Sequence, residues 1–229
     1  MVHRKILSNR DEWLTVRGRR LGGSDAASVL GKNPWMSNHK LWEIKTMRAT
    51  QPDISDNPAV LFGTRAEAPI RELFALDHPE LKVEYIENNI WFNDKYPMSH
   101  ASLDGWLTDE QGRLGVLEIK TSTISSRSQR DKWFPSEENL NRGRSQHIPE
   151  NYLYQTIHCM NVIEADFVWL RAYLKFDYDD FKWVEVKDYN FERTDENIQA
   201  YSEELMKAET EFWKYVEEDR EPPVILPEI

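Results

Sequence analysis

The sequence predicts an α/β protein in which a central mixed sheet is flanked by helices. Three observations lead to this fold class. Helical patterns dominate the first third of the chain, strand-like patterns follow in series, and a helix, two strands and a last helix complete it. Helices placed before and after a block of strands are typical of a sheet with helices on its faces. The 229 residues, of which 40 % are apolar, suit one domain with a sizeable core.

Two short helices are predicted near the N-terminus. The stretch "GGSDAASVLG" (22–31) indicates a helix with Ser24 as its N-cap and Gly31 as its end. The stretch "SNHKLWEIKTMR" indicates a second helix, capped by Ser37. In both, a serine hydroxyl would accept hydrogen bonds from backbone N–H groups that have no partner within the helix.

A longer helix and the first strands follow a loop. Residues 50–58 are rich in turn-forming types and predict the loop, and 59–76 predicts the helix. Its apolar residues, which fall broadly on one side, are Leu61, Ile70, Leu73 and Phe74. Strand-like stretches follow at 82–92, 97–107 and 113–121.

The second half of the chain alternates between polar and apolar segments. Residues 121–147 are polar and predict a long loop. The elements predicted after it are a helix at 149–161, strands at 166–175 and 181–189, and a helix at 193–219. Apolar residues of the last helix recur every three or four positions, which fits a helix laid on the domain or a subunit contact. We expect one domain over 1–229, with 193–229 as an appendage.

The charge distribution limits the possible partners. The net charge of −11 argues against a protein that coats nucleic acid without specificity. The charge is uneven, however, since residues 191–229 carry 12 acidic and 4 basic side chains. Residues 1–20 carry six basic and two acidic side chains, so a local nucleic-acid site near the N-terminus is allowed.

Several classes of protein do not fit the composition. No apolar run approaches the ~18 residues that a bilayer span needs, and the first residues lack the apolar core of a secretory signal. The single cysteine, Cys159, excludes an internal disulfide and a cysteine-based zinc site. We therefore expect a cytoplasmic protein without membrane contacts.

Asp104, Glu118 and Lys120 form the most informative cluster of charged residues. In "GVLEIKT", Glu118 and Lys120 share one face of a predicted strand, and the Asp-Gly bend at Asp104 can bring its carboxylate beside Glu118. Two such carboxylates stay ionised together only if a cation lies between them. Oxygen ligands without cysteine or clustered histidine favour Mg²⁺, with Mn²⁺ as a substitute. The alternative is a solvent-exposed Glu–Lys pair on a sheet surface.

The pattern D-x(n)-E-x-K resembles the signature of the PD-(D/E)xK nucleases, although Leu103 stands where the signature has proline. Other stretches are similar to the phage lambda exonuclease-like (YqaJ-type) family of viral recombinases. "WLTVRGRRLGGS" resembles its N-terminal motif, which places Arg17 and Ser24. "FGTRAEAPIRELF" and "YLYQTIHCM" resemble its acidic and glutamine helices, which place Glu67 and Gln155. These matches span about 11–175.

The resemblance implies a restriction-endonuclease-like core and a role for each residue of the cluster. Asp104, Glu118 and the backbone carbonyl of Ile119 would bind the metal ion, and Lys120 would act on the attacking water. Glu67 would bind or bridge to a second metal ion. Gln155 would orient Lys120 or the water. RecB-type nucleases carry a tyrosine four residues after this glutamine, where this chain has Cys159.

The N-terminal motif implies a pocket for the 5′-terminal phosphate of a DNA strand. Arg17 supplies a guanidinium, and Ser24 a hydroxyl at the start of a helix whose N–H groups attract an anion. Arg19 and Arg20 would contact backbone phosphates. Trp35 would stack on a base or separate the strands. Basic residues of the 121–147 loop could also contact DNA: Arg127, Arg130, Lys132, Arg142 and Arg144.

The activity implied by the resemblance is a Mg²⁺-dependent 5′-to-3′ exonuclease that degrades one strand from duplex DNA ends and leaves 3′ overhangs. A single-strand annealing protein would be its partner in recombination, and the family's ring-shaped homotrimer would enclose DNA inside a bacterial host cell. Two alternatives stay open. One is a RecB-like or restriction-type endonuclease, and the other is a non-enzymatic acidic interaction module.

Overall fold

The computed structural model describes residues 1–134, 148–178 and 181–225. The strands are β1 (Val2–Ile6), β2 (Lys82–Glu84), β3 (Asn89–Asn93), β4 (Gly105–Thr108), β5 (Leu114–Ile124), β6 (Phe167–Tyr178) and β7 (Phe181–Glu192). The helices are α1 (Arg10–Gly18), α2 (Gly23–Val29), α3 (Asn38–Lys45), α4 (Pro58–Asp77), α5 (Arg127–Trp133), α6 (Glu150–Ile163) and α7 (Glu196–Glu217).

Five strands form a central mixed sheet in the order β2-β4-β5-β6-β7. Only the pair β5–β6 is parallel, and the chain between these two strands contains α5 and α6. A parallel pair requires such a crossover, which usually contains a helix. A separate antiparallel ribbon is formed by β1 and β3. The predicted fold class, a mixed sheet flanked by helices, is confirmed.

Strand β5 is buried on both faces because helices cover both sides of the sheet. Leu117 and Ile119 pack with Phe74 of α4 in one cluster. Val116 packs with Ile157 of α6 in the other. Side chains alternate along a strand, so Glu118 and Lys120 project toward the α6 side. A structural strand with one solvated face, the alternative suggested by the sequence, does not describe β5.

Most predicted elements are confirmed with small shifts of their bounds. The helix at 59–76 is α4, the helix at 149–161 is α6, the strands at 166–175 and 181–189 are β6 and β7, and the last helix is α7. Ser37 caps α3, since its hydroxyl accepts a hydrogen bond from the backbone N–H of Lys40 at 3.1 Å. These elements carry strong periodicity or an N-cap, which are the most reliable local signals.

Some local predictions are wrong. The N-cap of α2 is Gly22 and not Ser24, because Asp25 takes the reciprocal capping role through the N–H of Gly22. On α4, Ile70 and Phe74 are buried, whereas Leu61 and Leu73 are 41 % and 43 % exposed, since the helix turns them away from the sheet.

The stretches at 82–92 and 97–107 are also not continuous strands. β2 and β3 belong to different sheets and are separated at Asn88, whose φ of 56° lies in the left-handed region that asparagine tolerates. Only 105–108 of the next stretch pairs as a strand. The polar stretch 121–147 begins inside β5 and contains α5. Arg142 and Arg144 lie outside the described residues. The ribbon strand β1 and helix α1 lie outside the predicted elements.

The last helix is packed against the body of the protein. Ile198, Leu205 and Phe212 are buried on one side of α7. On the same side, Glu209 accepts a hydrogen bond from His158 of α6 at 2.6 Å, and both side chains are fully buried. His158 also donates to the carbonyl of His100 at 2.8 Å. The contacts fit a helix laid on the domain, and a subunit contact stays a prediction.

The buried pair between α6 and α7 joins an imidazole ring to a carboxyl group. Burial disfavours the charged form of His158, but the adjacent carboxylate of Glu209 outweighs it and raises the pKa of His158. Beyond α7, Asn38 of α3 bonds the backbone of Pro223 and Ile225 at 2.7 and 3.1 Å. Across the described residues, no helix is both long and apolar enough to cross a membrane.

The buried pair leads to a stability prediction. We expect Glu209→Ala to lower the free energy of unfolding by about 3–5 kcal/mol, because it leaves the His158 charge buried without a partner. Urea denaturation followed by circular dichroism measures the change. The control is Glu211→Ala, two positions along the same helix and exposed, which should change it by less than about 0.5 kcal/mol. A loss as small as the control's would contradict a charged pair.

Candidate active site

Asp104 lies directly before β4. Side-chain and backbone hydrogen bonds hold both this residue and the one before it. Asn89 bonds both the N–H and the carbonyl of Leu103, at 3.1 and 3.0 Å, and so fixes the residue before it. One carboxylate oxygen of Asp104 accepts the backbone N–H of Ile119 at 2.8 Å. Its backbone carbonyl accepts a hydrogen bond from Arg71 of α4 at 2.5 Å. Leu103, at the position of the signature proline, is 2 % exposed and packs in the core.

Glu118 and Lys120 lie on the α6 side of the sheet and contact each other. The Lys120 ammonium is 2.6 Å from Oε1 of Glu118. Gln155 of α6 donates to the same oxygen at 2.6 Å. Lys120 also lies over the ring of Tyr152, 5.2 Å from its centroid. The structure thus brings Glu118, Lys120 and Gln155 together in direct contact, with Glu118 only 2 % exposed.

Glu67 completes a group of three carboxylates that act on one another. Burial, followed by the Asp104 charge, raises the pKa of Glu67 to about 7. Burial also raises the pKa of Glu118 to about 7, with Asp104 and Glu67 adding to the effect and Lys120 opposing it. Burial disfavours the charged form of Lys120, but Glu118 and Asp104 outweigh it, so its pKa is raised and its ammonium stays charged. The charged forms of Glu67 and Glu118 are therefore disfavoured in this site.

The donor chemistry of this site fits a hard divalent cation. The three carboxylates offer oxygen only, which is what Mg²⁺ and Mn²⁺ prefer. The N–H and carbonyl of one residue project to the same side of a strand, and the Ile119 N–H points to Asp104. The carbonyl of Ile119 therefore points to the same side as Asp104. No strand pairs with β5 on that side at Ile119, because β4 pairs with β5 only as far as Leu117.

The carboxylates are not yet arranged as a metal-binding group. Among the described residues, no three His, Cys, Asp or Glu side chains are close enough together to hold a metal ion. Lys120 and Gln155 occupy one oxygen of Glu118, and the Ile119 N–H occupies one oxygen of Asp104. A bound cation would thus have to draw Asp104, Glu118 and Glu67 closer together.

The "GGS" segment brings α2 against the site. A Cβ atom on Gly23 would lie 3.0 Å from Sγ of Cys159 and 3.1 Å from Cγ of Gln155. A Cβ atom on Gly22 would meet the His100 ring at 2.8 Å. Gly23 is needed because α6 approaches α2 closely at this point, and Gly22 because the His100 ring fills the space that a side chain would take. Cys159, at the position of the RecB-type tyrosine, is buried and fills this contact, and burial raises its pKa.

Arg17 and Ser24 are placed differently from each other. The Arg17 guanidinium lies 4.0 Å from the ring centroid of Trp13 and is half-buried. Burial lowers the pKa of Arg17, while Asp25 and Asp104 act in the opposite direction. Ser24 is exposed in the first turn of α2. The predicted anion site at this helix start is altered, since Asp25 binds the N–H of Gly22 and forms an ion pair with Lys45 at 2.8 Å.

The other predicted DNA contacts lie on the surface. Arg19 is exposed. Arg20 donates to the carbonyl of Pro97 at 3.0 Å and lies over Phe92. Trp35 is 75 % exposed, and its backbone N–H donates to the side-chain oxygen of Asn33 at 2.9 Å. Their roles stay predictions.

The structure adds site residues that were not among the predicted ones. Arg71 follows Glu67 by one helical turn, so helical periodicity could have suggested it. Asn89 and the pair of Asp25 with Lys45 had no local signal, because their partners are distant in sequence.

Comparison with known proteins fits this arrangement. Residues 12–166 match the YqaJ-like viral recombinase domain. This segment contains Asp104, Glu118, Lys120 and Gln155 in order.

The chain belongs to the YqaJ-like viral recombinase domain family.

Among this family's relatives, protein YqaJ of Bacillus subtilis strain 168, itself uncharacterized, is 29 % identical over 205 residues. The match covers 90 % of this chain and 56 % of that protein, so the chain spans little more than half its length.

Two solved structures share the fold. An alkaline exonuclease from Laribacter hongkongensis matches with a TM-score of 0.55 and 17 % identity, covering 91 % of this chain and 95 % of that one. A phage-related exonuclease from Haemophilus somnus 129PT matches with a TM-score of 0.52 and 12 % identity, covering 90 % and 98 %. The arrangement of the sheet and its flanking helices is therefore shared with these two exonucleases.

The raised pKa of Glu67 leads to a prediction for the metal-free protein. Its pKa is about 7 in the folded state, whereas the pKa of an ordinary glutamate side chain is 4.5. The folded state thus holds an extra proton between these values, and stability falls as pH rises from about 4.5 to about 7. We expect Glu67→Gln, which stays neutral, to raise Tm at pH 8 and to change it little at pH 4.5.

Differential scanning fluorimetry in EDTA measures this difference. The control is Glu72→Gln, an exposed change on the same helix, whose effect should not grow with pH. Excess Mg²⁺ at pH 8 should raise the Tm of the unmodified protein more than that of Glu67→Gln. A Glu67→Gln protein that is no more stable than the unmodified one at pH 8 would argue against the carboxylate cluster.

Proposed function

We propose that this protein is a Mg²⁺-dependent 5′-to-3′ exonuclease that degrades one strand from duplex DNA ends. The observation that carries the proposal is the contact of Lys120 and Gln155 with Glu118, next to Asp104, in a fold shared with alkaline exonucleases. A buried Glu–Lys pair is costly, so its presence beside two more carboxylates supports a catalytic role over a structural one.

Asp104, Glu118 and the Ile119 carbonyl would hold the first metal ion, and Glu67 a second one. When bound, Mg²⁺ or Mn²⁺ supplies a polarised phosphoryl oxygen and a water of lowered pKa. Hydrolysis then forms a bond between the water oxygen and phosphorus and breaks the bond from phosphorus to the 3′ oxygen. The leaving 3′ oxygen takes up a proton, and a 5′-mononucleotide is released.

Lys120 contributes a fixed positive charge to this reaction. Although burial disfavours its charge, Glu118 and Asp104 raise the pKa of Lys120 and so favour the ammonium form. The ammonium would orient the attacking water and offset the negative charge that grows on the phosphoryl oxygens. Gln155 holds Glu118 in place through the oxygen that Lys120 shares.

Arg17 and Ser24 would bind the 5′-terminal phosphate, so that the strand end lies beside Asp104. Support comes from the charge of Arg17, which acts on Asp104, and from the contact of Gly23 with Gln155. The Laribacter hongkongensis exonuclease has been solved with dAMP, which fits a nucleotide site in this fold.

The remaining parts of the proposal concern assembly and surroundings. Arg19 and Arg20 would contact backbone phosphates, and Trp35 would stack on a base at the duplex end. A homotrimer would enclose DNA, and a single-strand annealing protein would take over the 3′ overhang in the cytoplasm of a bacterial host.

The catalytic roles are tested by replacing Lys120. We expect Lys120→Ala to slow cleavage of a 5′-phosphorylated linear duplex by about 10²–10³-fold in Mg²⁺, because the charge beside the phosphoryl group is lost. Single-turnover release of labelled nucleotide measures the rate. The control is Lys182→Ala, a lysine with 78 % side-chain exposure on β7, which should cleave normally. Normal cleavage by Lys120→Ala as well would remove this residue from the mechanism.

The end requirement separates an exonuclease from a RecB-like or restriction-type endonuclease. We expect digestion of linear duplexes with a 5′ phosphate, slower digestion with a 5′ hydroxyl, and none of circular DNA. Arg17→Gln should abolish most of the preference for the phosphate, because it removes the bidentate donor. Circular DNA cut as fast as linear DNA would favour the endonuclease. Absence of cleavage and of Mg²⁺ binding would favour a non-enzymatic module.

A further inference from the structure

On helix α1, the guanidinium groups of two arginines lie over the ring of one tryptophan. Positions 10, 13 and 17 are three and four residues apart and therefore share one helix face. The Arg17 guanidinium carbon lies 4.0 Å from the Trp13 ring centroid, and that of Arg10 lies 5.6 Å from it. Both distances are within the range of cation–π attraction. Arg10 is thus aligned with Arg17 along this stripe.

The tryptophan that carries the two charges is fixed. The Trp13 indole N–H donates to the Ser102 hydroxyl at 2.9 Å and to the Asn89 carbonyl at 3.2 Å. Asn89 also holds the residue before Asp104. The start of the helix is fixed as well, because Asn9 accepts the N–H of Glu12 at 2.9 Å. A rigid ring keeps both guanidinium groups in place before any ligand binds, which lowers the entropic cost of binding.

Neither guanidinium is neutralised by the protein. Within residues 1–134, 148–178 and 181–225, Arg10 and Arg17 form no ion pair and donate no side-chain hydrogen bond. Asp11 and Glu12 follow Arg10 in the first turn of the helix, but within the described residues neither forms an ion pair with Arg10 or Arg17. Glu12 is instead bound by the hydroxyl and N–H of Ser8 at 2.7 and 3.0 Å. In a chain of net charge −11, two adjacent arginines without carboxylate partners indicate an anionic ligand.

The stripe also lies close to the carboxylates of the site. The charge of Arg17 interacts with Asp104, and the charge of Arg10 interacts with both Arg17 and Glu67. A DNA strand whose 5′ end is bound by Arg17 therefore lies close to Arg10 as well.

We propose that Arg10 is a second phosphate-binding residue, and that Arg10, Trp13 and Arg17 together bind two phosphate groups of one DNA strand. This inference rests on the proposed function, because it takes the substrate to be a DNA end. It adds a contact that is independent of the 5′-terminal phosphate, since an internal phosphodiester is present on every strand.

The test measures binding without cleavage. A fluorescent duplex of about 20 base pairs is titrated with full-length protein in EDTA, at several salt concentrations, by anisotropy. We expect Arg10→Gln to weaken binding about fivefold or more at 50 mM salt and to reduce the salt slope by about 1, as loss of one phosphate contact should. The loss should be equal for 5′-phosphate and 5′-hydroxyl ends. Arg10→Lys should restore the salt slope.

The charge-matched control is Lys207→Gln, which removes one exposed positive charge from α7 and should stay within twofold of the unmodified protein. The inference would be overturned if Arg10→Gln bound the duplex as tightly as this control does, with an unchanged salt slope and an unchanged Tm. The exonuclease proposal would then stay intact. If the protein cleaved no linear DNA but its binding still depended on Arg10, the proposed function would be contradicted and the phosphate contact supported.

Discussion

The structure depends on the burial of one carboxylate, that of Glu118, between the central sheet and α6. A charge in this position is tolerated only with partners, and Lys120 and Gln155 both use the same oxygen atom. That requirement fixes the position of α6 over β5, because Gln155 has to reach the strand. It also bears on α2, whose Gly23 packs against Gln155 and Cys159. Residues of the site are therefore also part of the packing between the sheet, α6 and α2.

The opposite face is organised by α4, which spans the sheet and is attached at two places. Near its middle, Arg71 bonds the backbone of Asp104. At its end, Asp77 accepts a hydrogen bond from the buried Arg171 at 2.7 Å. Arg171 also forms a bidentate pair with Asp188 of β7, at 2.6 and 2.8 Å. Because α4 is held at both points, the position of Glu67 relative to Asp104 is set by the sheet and not by a flexible loop.

Charge is divided between two parts of the molecule. The acidic surplus lies in the C-terminal segment, on α7 and the residues after it. Of the six basic side chains in the first 20 residues, five lie over aromatic rings. Aromatic faces hold a guanidinium without cancelling its charge. A negatively charged protein can in this way keep local positive charge beside its carboxylate site.

The sequence by itself determined the fold class, most helices and strands, and the Glu118–Lys120 pair, because periodicity, caps and the ExK spacing are local properties. Gln155 is located only by the resemblance of its helix to a family motif, which assigns it to Lys120 or the water, whereas the structure shows it donating to Glu118. The tertiary structure decided that β5 is buried on both faces, that Asp25 and not Ser24 closes α2 at Gly22, and that Arg10, Asn89 and Arg71 belong beside the site. Each of these depends on contacts between residues far apart in the chain, and no local pattern encodes which distant side chain will approach.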